Sequence, residues 1–389
     1  MSPGMDEELH PALLPAGLRD MLPPDAAVEA ATVERLMAAL AAHGYDRVKP
    51  PLLEFETSLL GGAGAAMAQD TFRLMDPVSQ RMSGVRADMT LQIARIATAR
   101  LVTAPRPLRL AYAGQVLRIR GTQLRPERQF GQIGAELIGC ERPAADAEVI
   151  ALAADILAGI GVPGLSIDLS LPTLVPAVLR ALGVGPGAAL RLRAALDHKD
   201  AAAIVAVGGE AADLLHRVMA TAGRADRALA GLARIAVPEE AEAEIARLTE
   251  IVALVRALVP DLVVTVDPVE NRGFEYHTGV TFTIFARGIR GELGRGGRYR
   301  AGPGPATESA TGFTLYTDTV LRGVPAVPAA RRIYLPLGTS TAEGAALRRD
   351  GWITIAALEP ASPLGEAARL GCGHVWLDGR ALEVGGRAP

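Results

Sequence analysis

Apolar positions along this chain follow two different periods, and the switches between them mark out its elements. From Asp25 to His43, the residues Val28, Val33, Leu36, Met37 and Leu40 keep a helical spacing behind the breaker LPP, which predicts an amphipathic helix. GYDRVKPPLLEF then reads as extended, because Pro50 and Pro51 exclude helix. Two short alternating runs in DTFRLMDPVSQRMSGVRAD, joined around Asp76-Pro77, predict a hairpin. Met89 to Val102 reads as helix. LRLAYAGQVLRI and RQFGQIGAELIGC read as paired strands on either side of the polar loop RGTQLRPE. Residues 143 to 160 are helical in pattern, and LSIDLSL is a strand.

Between about Pro176 and Pro260 alanine, leucine and arginine recur at helical spacing, which predicts a helical insertion. Strands return at LVVTVDPVE, at GVTFTIFARG and at the glycine-rich GELGRGGRYRAGPGP. After Val324 the linker-like PAVPAA leads to RIYLPLG, a helix, WITIAAL, a second helix and HVWL. The expected organisation is a large domain over 1–323, interrupted at about 176–260, and a small α/β domain over 324–389. Strands in mixed order with irregular connections point to an α+β class, an antiparallel sheet flanked by helices, rather than a doubly wound parallel sheet.

Composition narrows the classes. Of the 389 residues 49% are hydrophobic and 21% charged, so a sizeable core can form and global disorder is excluded. No apolar run reaches the ~18 residues of a membrane span. The first ten residues are acidic and polar, unlike a secretory signal or transit peptide. Cys140 and Cys372 lie far apart without CxxC spacing, which argues for a reducing cytoplasm and against a disulfide framework or a zinc site. A net charge of −3 removes the simplest case for a nucleic-acid binder. Lys49 and Lys199 are the only lysines, a bias better explained by genome composition than by phosphate recognition.

Three stretches carry candidate chemistry, each with a plainer alternative. In VRADMT, Asp88 and Thr90 read first as a helix N-terminal cap; the functional alternative has Asp88 meeting an ammonium at the helix mouth. In RQFGQIGAELIG, Gln132, Gly134 and Glu136 share one face by period two, with open space expected at Gly134. An inward Gln/Glu pair would be costly without partners, so that face is either solvated or part of a site. NRGFEYHTGVTF crowds Arg272, Glu275, Tyr276 and His277 before a strand, as a polar turn or as the wall of a pocket for a small zwitterion. GELGRGGRYR lacks the Lys-Ser/Thr of a phosphate loop and reads as a glycine turn between strands. No catalytic or metal-binding signature is found, and the six histidines are scattered.

Taken in order, these stretches resemble histidyl-tRNA synthetase, a class II aminoacyl-tRNA synthetase. The resemblance starts at LPAGLRDMLPPDAA and runs through HGYDRVKPPLLEF, which is similar to the dimer-forming first motif, and VRADMT. It continues through residues 112 to 139 as the second motif, RGFEYHTG as the family's histidine loop, GGRYR, and ATGFTL leading into the third motif. About residues 12 to 323 are covered. The resemblance implies a class II synthetase-like fold and a histidine site at Asp88, Thr90, Gln132, Glu136, Arg272, Tyr276 and His277. Asp88 and Gln132 would take the α-ammonium and Arg272 the carboxylate. Glu136 and Tyr276 would hold the imidazole nitrogens. His277 stands where the family usually has a second tyrosine.

The nucleotide half departs from that family. Arg118 is retained as a residual phosphate-facing residue, but Arg120 stands in place of the adenine-contacting glutamate and Gly121 in place of an arginine. Thr319, in YTDTVL, occupies the position of the arginine that grips the ATP phosphates. Losing one such charged contact typically costs a few kcal/mol. The segment after Val324 is too short for the anticodon-binding domain of a charging enzyme. The pattern is similar to the regulatory subunits of ATP phosphoribosyltransferase, the synthetase-like paralogues in histidine biosynthesis. That resemblance implies no catalytic residues, no cofactor, no metal and a cytoplasmic location. It implies self-dimerisation, hetero-octamer assembly with the short-form catalytic subunit, and histidine as effector; tRNA and membranes are not expected as partners. Loops 121–127 and 271–279 are where a two-state element is expected. The competing readings are a working histidyl-tRNA synthetase or a synthetase-like ligase for another amino acid.

Overall fold

The computed structural model describes residues 13–61, 64, 67–122, 125–270, 276–302, 307–325 and 330–385. They divide into two units, 1–325 and 326–389. The first begins with helix α1 (Asp25–Ala42), strands β1 (Asp46–Arg47) and β2 (Leu53–Phe55), and the one-turn helix α2 (Glu56–Leu59). The hairpin of β3 (Arg73–Met75) and β4 (Met82–Val85) turns around Asp76, whose carboxylate accepts from the Val78 and Ser79 amides. With β2 it makes a small three-stranded antiparallel sheet. Helix α3 (Thr90–Ala99) follows, then the long pair β5 (Leu108–Leu117) and β6 (Gln129–Ile138), helix α4 (Pro143–Gly159) and strand β7 (Leu165–Ser170).

The alanine-rich stretch folds as helices α5 (Leu174–Ala181), α6 (Pro186–Asp197), α7 (Ala201–Val207) and α8 (Glu210–Met219), then α9 (Ala225–Leu232) and α10 (Glu239–Leu258). A two-residue strand β8 (Gly223–Arg224), not anticipated from the sequence, pairs with β9 (Val263–Asp267) at the sheet edge. Strands β10 (His277–Ala286), β11 (Gly294–Ala301) and β12 (Glu308–Tyr316) then fill the middle of the sheet before the short helix α11 (Thr317–Val320). The nine strands run in the order β1-β5-β6-β12-β11-β10-β7-β9-β8. All pairs are antiparallel except β1 with β5 and β7 with β9. This is the expected α+β architecture.

One sequence reading is corrected here. GELGRGGRYR is not a turn between strands; from Gly294 onward it is β11 itself, hydrogen-bonded to β10 and β12. Its glycines answer to crowding: a Cβ at Gly296 would enter the ring of Phe282 on the neighbouring strand.

Alternation sorts the sheet into two faces. Ile133, Ala135 and Leu137 of β6 join the large core built with α1, α4 and the inserted helices. Phe130 and Ile138 of β6 join Leu110, Tyr112, Tyr299 and Tyr316 in a second cluster beneath α3. The second unit is a separate α/β layer. Its strands are β13 (Arg332–Leu335), β14 (Ile353–Ala356), β15 (His374–Leu377) and β16 (Arg380–Glu383), with helices α12 (Thr341–Arg349) and α13 (Pro363–Arg369). The order is β14-β13-β15-β16, parallel but for the last pair. Ser340 and Glu343 close α12 with a reciprocal capping box. Among the described residues no helix is long and apolar enough to cross a membrane.

The large layers are pinned by one buried charge cluster. Arg298 on β11 is 4% exposed and Asp146 on α4 is 2% exposed. The Arg298 Nε donates to both Asp146 oxygens at 3.0 and 3.1 Å, and its Nη1 reaches the Cys140 carbonyl and the Ser309 hydroxyl. Arg247 on α10 adds a 3.3 Å contact to the same carboxylate. Truncating one partner of such a pair strands a buried charge, whereas replacing both with apolar groups is close to neutral. Asp146→Ala should therefore lower the unfolding free energy by about 3–5 kcal/mol, and Asp146→Leu combined with Arg298→Met should recover most of it. Urea unfolding of both variants checks this; a single variant within about 1 kcal/mol of wild type would contradict it.

Candidate functional site

Strand register places the candidate residues on the α3 side of the sheet. Tyr112, Gly134, Thr314 and Arg295 lie in one cross-strand row, and Leu110, Glu136, Gly312, Gly297 and Thr281 in the next. Ile138, Ala310, Tyr299 and His277 make a third. Gly297 and Gly312 in this patch lie in the floor of a cavity. The cavity is walled by Asp88, Thr90, Glu136, Tyr276, His277 and Tyr299 among others.

The two alternatives left open for Gln132 and Glu136 resolve the same way. Neither is solvated: Gln132 is 0% exposed and Glu136 1%. Both have partners. The Tyr112 hydroxyl donates to Glu136 Oε1 at 3.2 Å and the Tyr299 hydroxyl to Oε2 at 3.0 Å. Burial pushes the Glu136 carboxyl up to about 8, opposed by the Tyr299 bond and reinforced by the Asp88 charge. The Tyr112, Tyr276 and Tyr299 phenols are pushed well above their usual range, by burial first and then by nearby carboxylates. The open space expected at Gly134 is absent, because the Tyr112 ring and hydroxyl fill the room a Cβ would need. The missing side chain serves Tyr112's approach to Glu136. Gly312 plays the same part from the other side, where a Cβ would run into Glu136 Oε2.

Asp88 is not the N-cap of α3, which is Met89 without a side-chain cap bond, but its carboxylate braces the helix start and walls the cavity. Its Oδ1 accepts from the Thr90 amide at 2.9 Å, and its Oδ2 from Gln132 Nε2 at 2.8 Å. Gln132 Oε1 in turn accepts from the Met89 amide at 3.0 Å. Both ends of the Gln132 amide are thus engaged, and it stands behind Asp88 rather than in the cavity wall. The Thr90 and Thr314 hydroxyls lie 3.3 and 2.7 Å from the Tyr112 oxygen. Tyr276 stacks on His277 with ring centres 4.5 Å apart and meets Tyr299 edge-on at 5.8 Å. Arg272 and Glu275 lie outside the described residues, as do parts of both loops named for the two-state element. Tyr112, Tyr299 and Thr314 escaped the sequence reading; the signal that finds them is cross-strand register, which one strand's pattern cannot supply.

Beside the cavity, a wider cleft runs along the sheet past Arg118, Arg295, Tyr316 and Thr319. Arg118 donates from Nε to the Ala87 carbonyl and lies 5.1 Å from the Phe130 ring centre. Arg120 and Gly121 are exposed. Thr319 is buried and accepts a 3.1 Å hydrogen bond from Arg125 Nη2. The Arg295 Nη2 donates to both Glu292 oxygens at 2.7 Å. No group of histidine, cysteine and carboxylate side chains among the described residues has the geometry to hold a metal ion.

The family profile described as histidyl-tRNA synthetase matches residues 17–320. An ATP phosphoribosyltransferase regulatory subunit of Rhodospirillum centenum is 60% identical over 97% of this chain and 98% of its own length. One from Gluconobacter oxydans is 47% identical over 95% and 97%. Among solved structures, an ATP phosphoribosyltransferase regulatory subunit/histidyl-tRNA synthetase from Bacillus halodurans superposes with a TM-score of 0.78 at 23% identity, covering 95% of this chain and 97% of that one. Histidyl-tRNA synthetase from Nostoc gives 0.75 at 17%, covering 93% and 90%. These two likenesses establish the fold.

The raised Glu136 pKa makes a signed prediction. The folded chain holds this proton up to about pH 8, whereas the unfolded chain releases it near 4.5. The stability it brings is present below the unfolded value and is lost as pH rises between the two. The unfolding free energy of wild type minus that of Glu136→Gln should therefore fall by on the order of 3–5 kcal/mol from pH 4.5 to 8. Denaturant unfolding across that range reads it; a difference that does not vary with pH would contradict it.

Proposed function

The chain belongs to the histidyl-tRNA synthetase family and, within it, to the ATP phosphoribosyltransferase regulatory subunits; on that premise we propose that it is a non-catalytic histidine sensor. In this reading it supports a short-form ATP phosphoribosyltransferase catalytic subunit at the first step of histidine biosynthesis and transmits inhibition by histidine. The observation that carries the reading is a contrast across one cleft. The amino-acid side keeps acceptors and donors at Asp88, Glu136, Tyr276 and Tyr299, of which Glu136 and Tyr299 are buried. On the nucleotide side Thr319 replaces a phosphate-gripping arginine and Arg125 is already bonded to it.

Histidine suits that pocket chemically. The Asp88 carboxylate faces an α-ammonium, with Gln132 and the Thr90 amide fixing its orientation. Glu136, close to its titration point at neutral pH, can accept from one imidazole nitrogen or donate to it. Tyr276 and His277 offer an aromatic wall. Arg272 is proposed as the carboxylate partner. For binding here to inhibit elsewhere, histidine must favour one state of the assembly over another, by a coupling of about 1–3 kcal/mol. We take the assembly to be a cytoplasmic hetero-octamer in which this chain also contacts its own copies.

The decisive experiment measures ATP phosphoribosyltransferase activity of the short catalytic subunit with and without this chain, titrated with histidine. Activity should depend on the chain and fall as histidine rises. A buried hydrogen bond to a charged group is worth about 1.5–3 kcal/mol, so Glu136→Ala should raise the half-inhibiting histidine concentration by about tenfold or more. The chain alone should give calorimetric heat with histidine and no histidine-dependent pyrophosphate exchange. Robust exchange, or inhibition indifferent to Glu136, would overturn the assignment.

A further inference from the structure

We propose that Lys199 is a positioning residue for the amino-acid pocket: from the inserted helices it holds Asp267, at the far end of the strand row that contains Glu136, so that the insertion responds when the pocket is filled. This deepens the histidine-sensor reading and rests on it. One cross-strand row carries the connection. Glu136 pairs with Gly312, Gly312 with Gly297, Gly297 with Thr281, Thr281 with Ser170 and Ser170 with Asp267. Directly paired residues share a face, so the row looks to one side of the sheet over five strand spacings, about 24 Å. Gly312 and Gly297 floor the pocket with bare backbone, and Thr281 and Ser170 continue the row along the wider cleft.

The backbone at Lys199 does not itself call for a lysine. Helix α6 ends just before it, the Lys199 amide donates to the Leu196 carbonyl at 3.0 Å, and the Asp200 amide donates to Ala195 at 2.9 Å. This is the bond pair of a Schellman turn, whose left-handed position is usually glycine or asparagine. Lys199 occupies that position with a φ of 53°. Asp200 then caps α7 by accepting from the Ala203 amide. The turn is thus fixed at both ends, and the reason for a lysine lies in its side chain.

That side chain leaves the insertion for the sheet. Its Nζ is buried, 2.9 Å from Asp267 Oδ2 and 3.2 Å from Glu270 Oε2, and is aligned as a hydrogen bond with neither. The other Asp267 oxygen accepts from the amide of Val269, a residue of the main core, so the tie also fixes the turn that closes β9. Asp168 on β7 adds a third acid. Burial raises its carboxyl, opposed by the Thr265 hydroxyl; Asp267 and Glu270 raise it further, and the Lys199 ammonium lowers it. One ammonium therefore stands among three carboxylates, which would repel one another without it. A tie made by charge rather than by aligned hydrogen bonds is released at little cost, as a two-state contact requires.

Lys199→Gly separates the two roles of the residue, because glycine suits the turn and lacks the ammonium. Calorimetric titration of the full chain with histidine, together with amide hydrogen exchange over α6 and α7, reads the effect. In wild type histidine should slow exchange in these helices. Lys199→Gly should abolish that slowing and weaken histidine binding by about fivefold or more. Asp267→Asn, which keeps the Val269 bond and removes the charge, should act in the same direction, and Lys199→Arg should retain most of the affinity. Thermal melting confirms that each variant is folded. Histidine binding with unchanged affinity in both Lys199→Gly and Asp267→Asn, or slowing of α6 and α7 that survives in them, would overturn this inference alone. Absence of histidine heat in every protein would overturn the sensor reading and this inference with it.

Discussion

A carboxylic acid at the middle of a sheet, away from water, must be met by donors from the neighbouring strands, and in this fold that requirement shapes the strands themselves. Glu136 is reached by Tyr112 from β5 and by Tyr299 from β11, one strand beyond its immediate partner β12. For either phenol to arrive, the intervening positions must be vacated, and Gly134 and Gly312 vacate them. An isolated buried charge would cost several kcal/mol. Two hydroxyl donors reduce the cost, and a pKa near 8 shows that the group meets the rest by keeping its proton well into the neutral range. The opposite face of β6, with Ile133, Ala135 and Leu137 in the main core, supplies the apolar burial that lets the sheet tolerate such a patch.

The cleft beside this acid is not short of positive charge. Arg118, Arg125, Arg295 and Arg322 all line it. Three of these are engaged with carboxylates: Arg125 with Asp318, Arg295 with Glu292, and Arg322 with Glu127 at 3.9 Å. A polyphosphate needs cations whose attraction is not already spent, so on the proposed reading this internal neutralisation would weaken phosphate binding. The sequence comparison with charging enzymes located the change at Arg120 and Thr319. The structure adds that a guanidinium does reach Thr319, from Arg125 on the loop between β5 and β6, and that it meets an aspartate there.

How much of this was legible depended on whether the deciding contacts were local. The helices and the β5–β6 pair follow from period and breakers, and they form close to the expected bounds; α3 stops at Ala99, short of the expected Val102. The placing of Gln132 and Glu136 on one face was equally readable. Whether that face was wet or buried was not, because the answer lay in Tyr112 and Tyr299, brought alongside only by strand register. The same holds for β11. Glycines usually mark a turn, and only the crowding from Phe282 shows why a central strand needs them. Arg125 was unreadable for a similar reason: nothing nearby in sequence hints at Tyr316 or Asp318.

Under the proposed reading, Asp88 joins a structural and a functional role in one geometry. One residue ahead of the N-cap it accepts the Thr90 amide at the start of α3, and as a wall it presents the same carboxylate to the cavity. Gln132 holds the second oxygen and is itself held by the Met89 amide, so the carboxylate is fixed by the helix start on one side and by β6 on the other. A carboxylate so restrained loses little further freedom when it meets an ammonium, which strengthens binding without any additional contact. A brace at the helix start and the proposed ligand partner are therefore compatible roles for this residue. The helix needs an acceptor at that point, a zwitterion needs the same acceptor held still, and the first requirement provides the second.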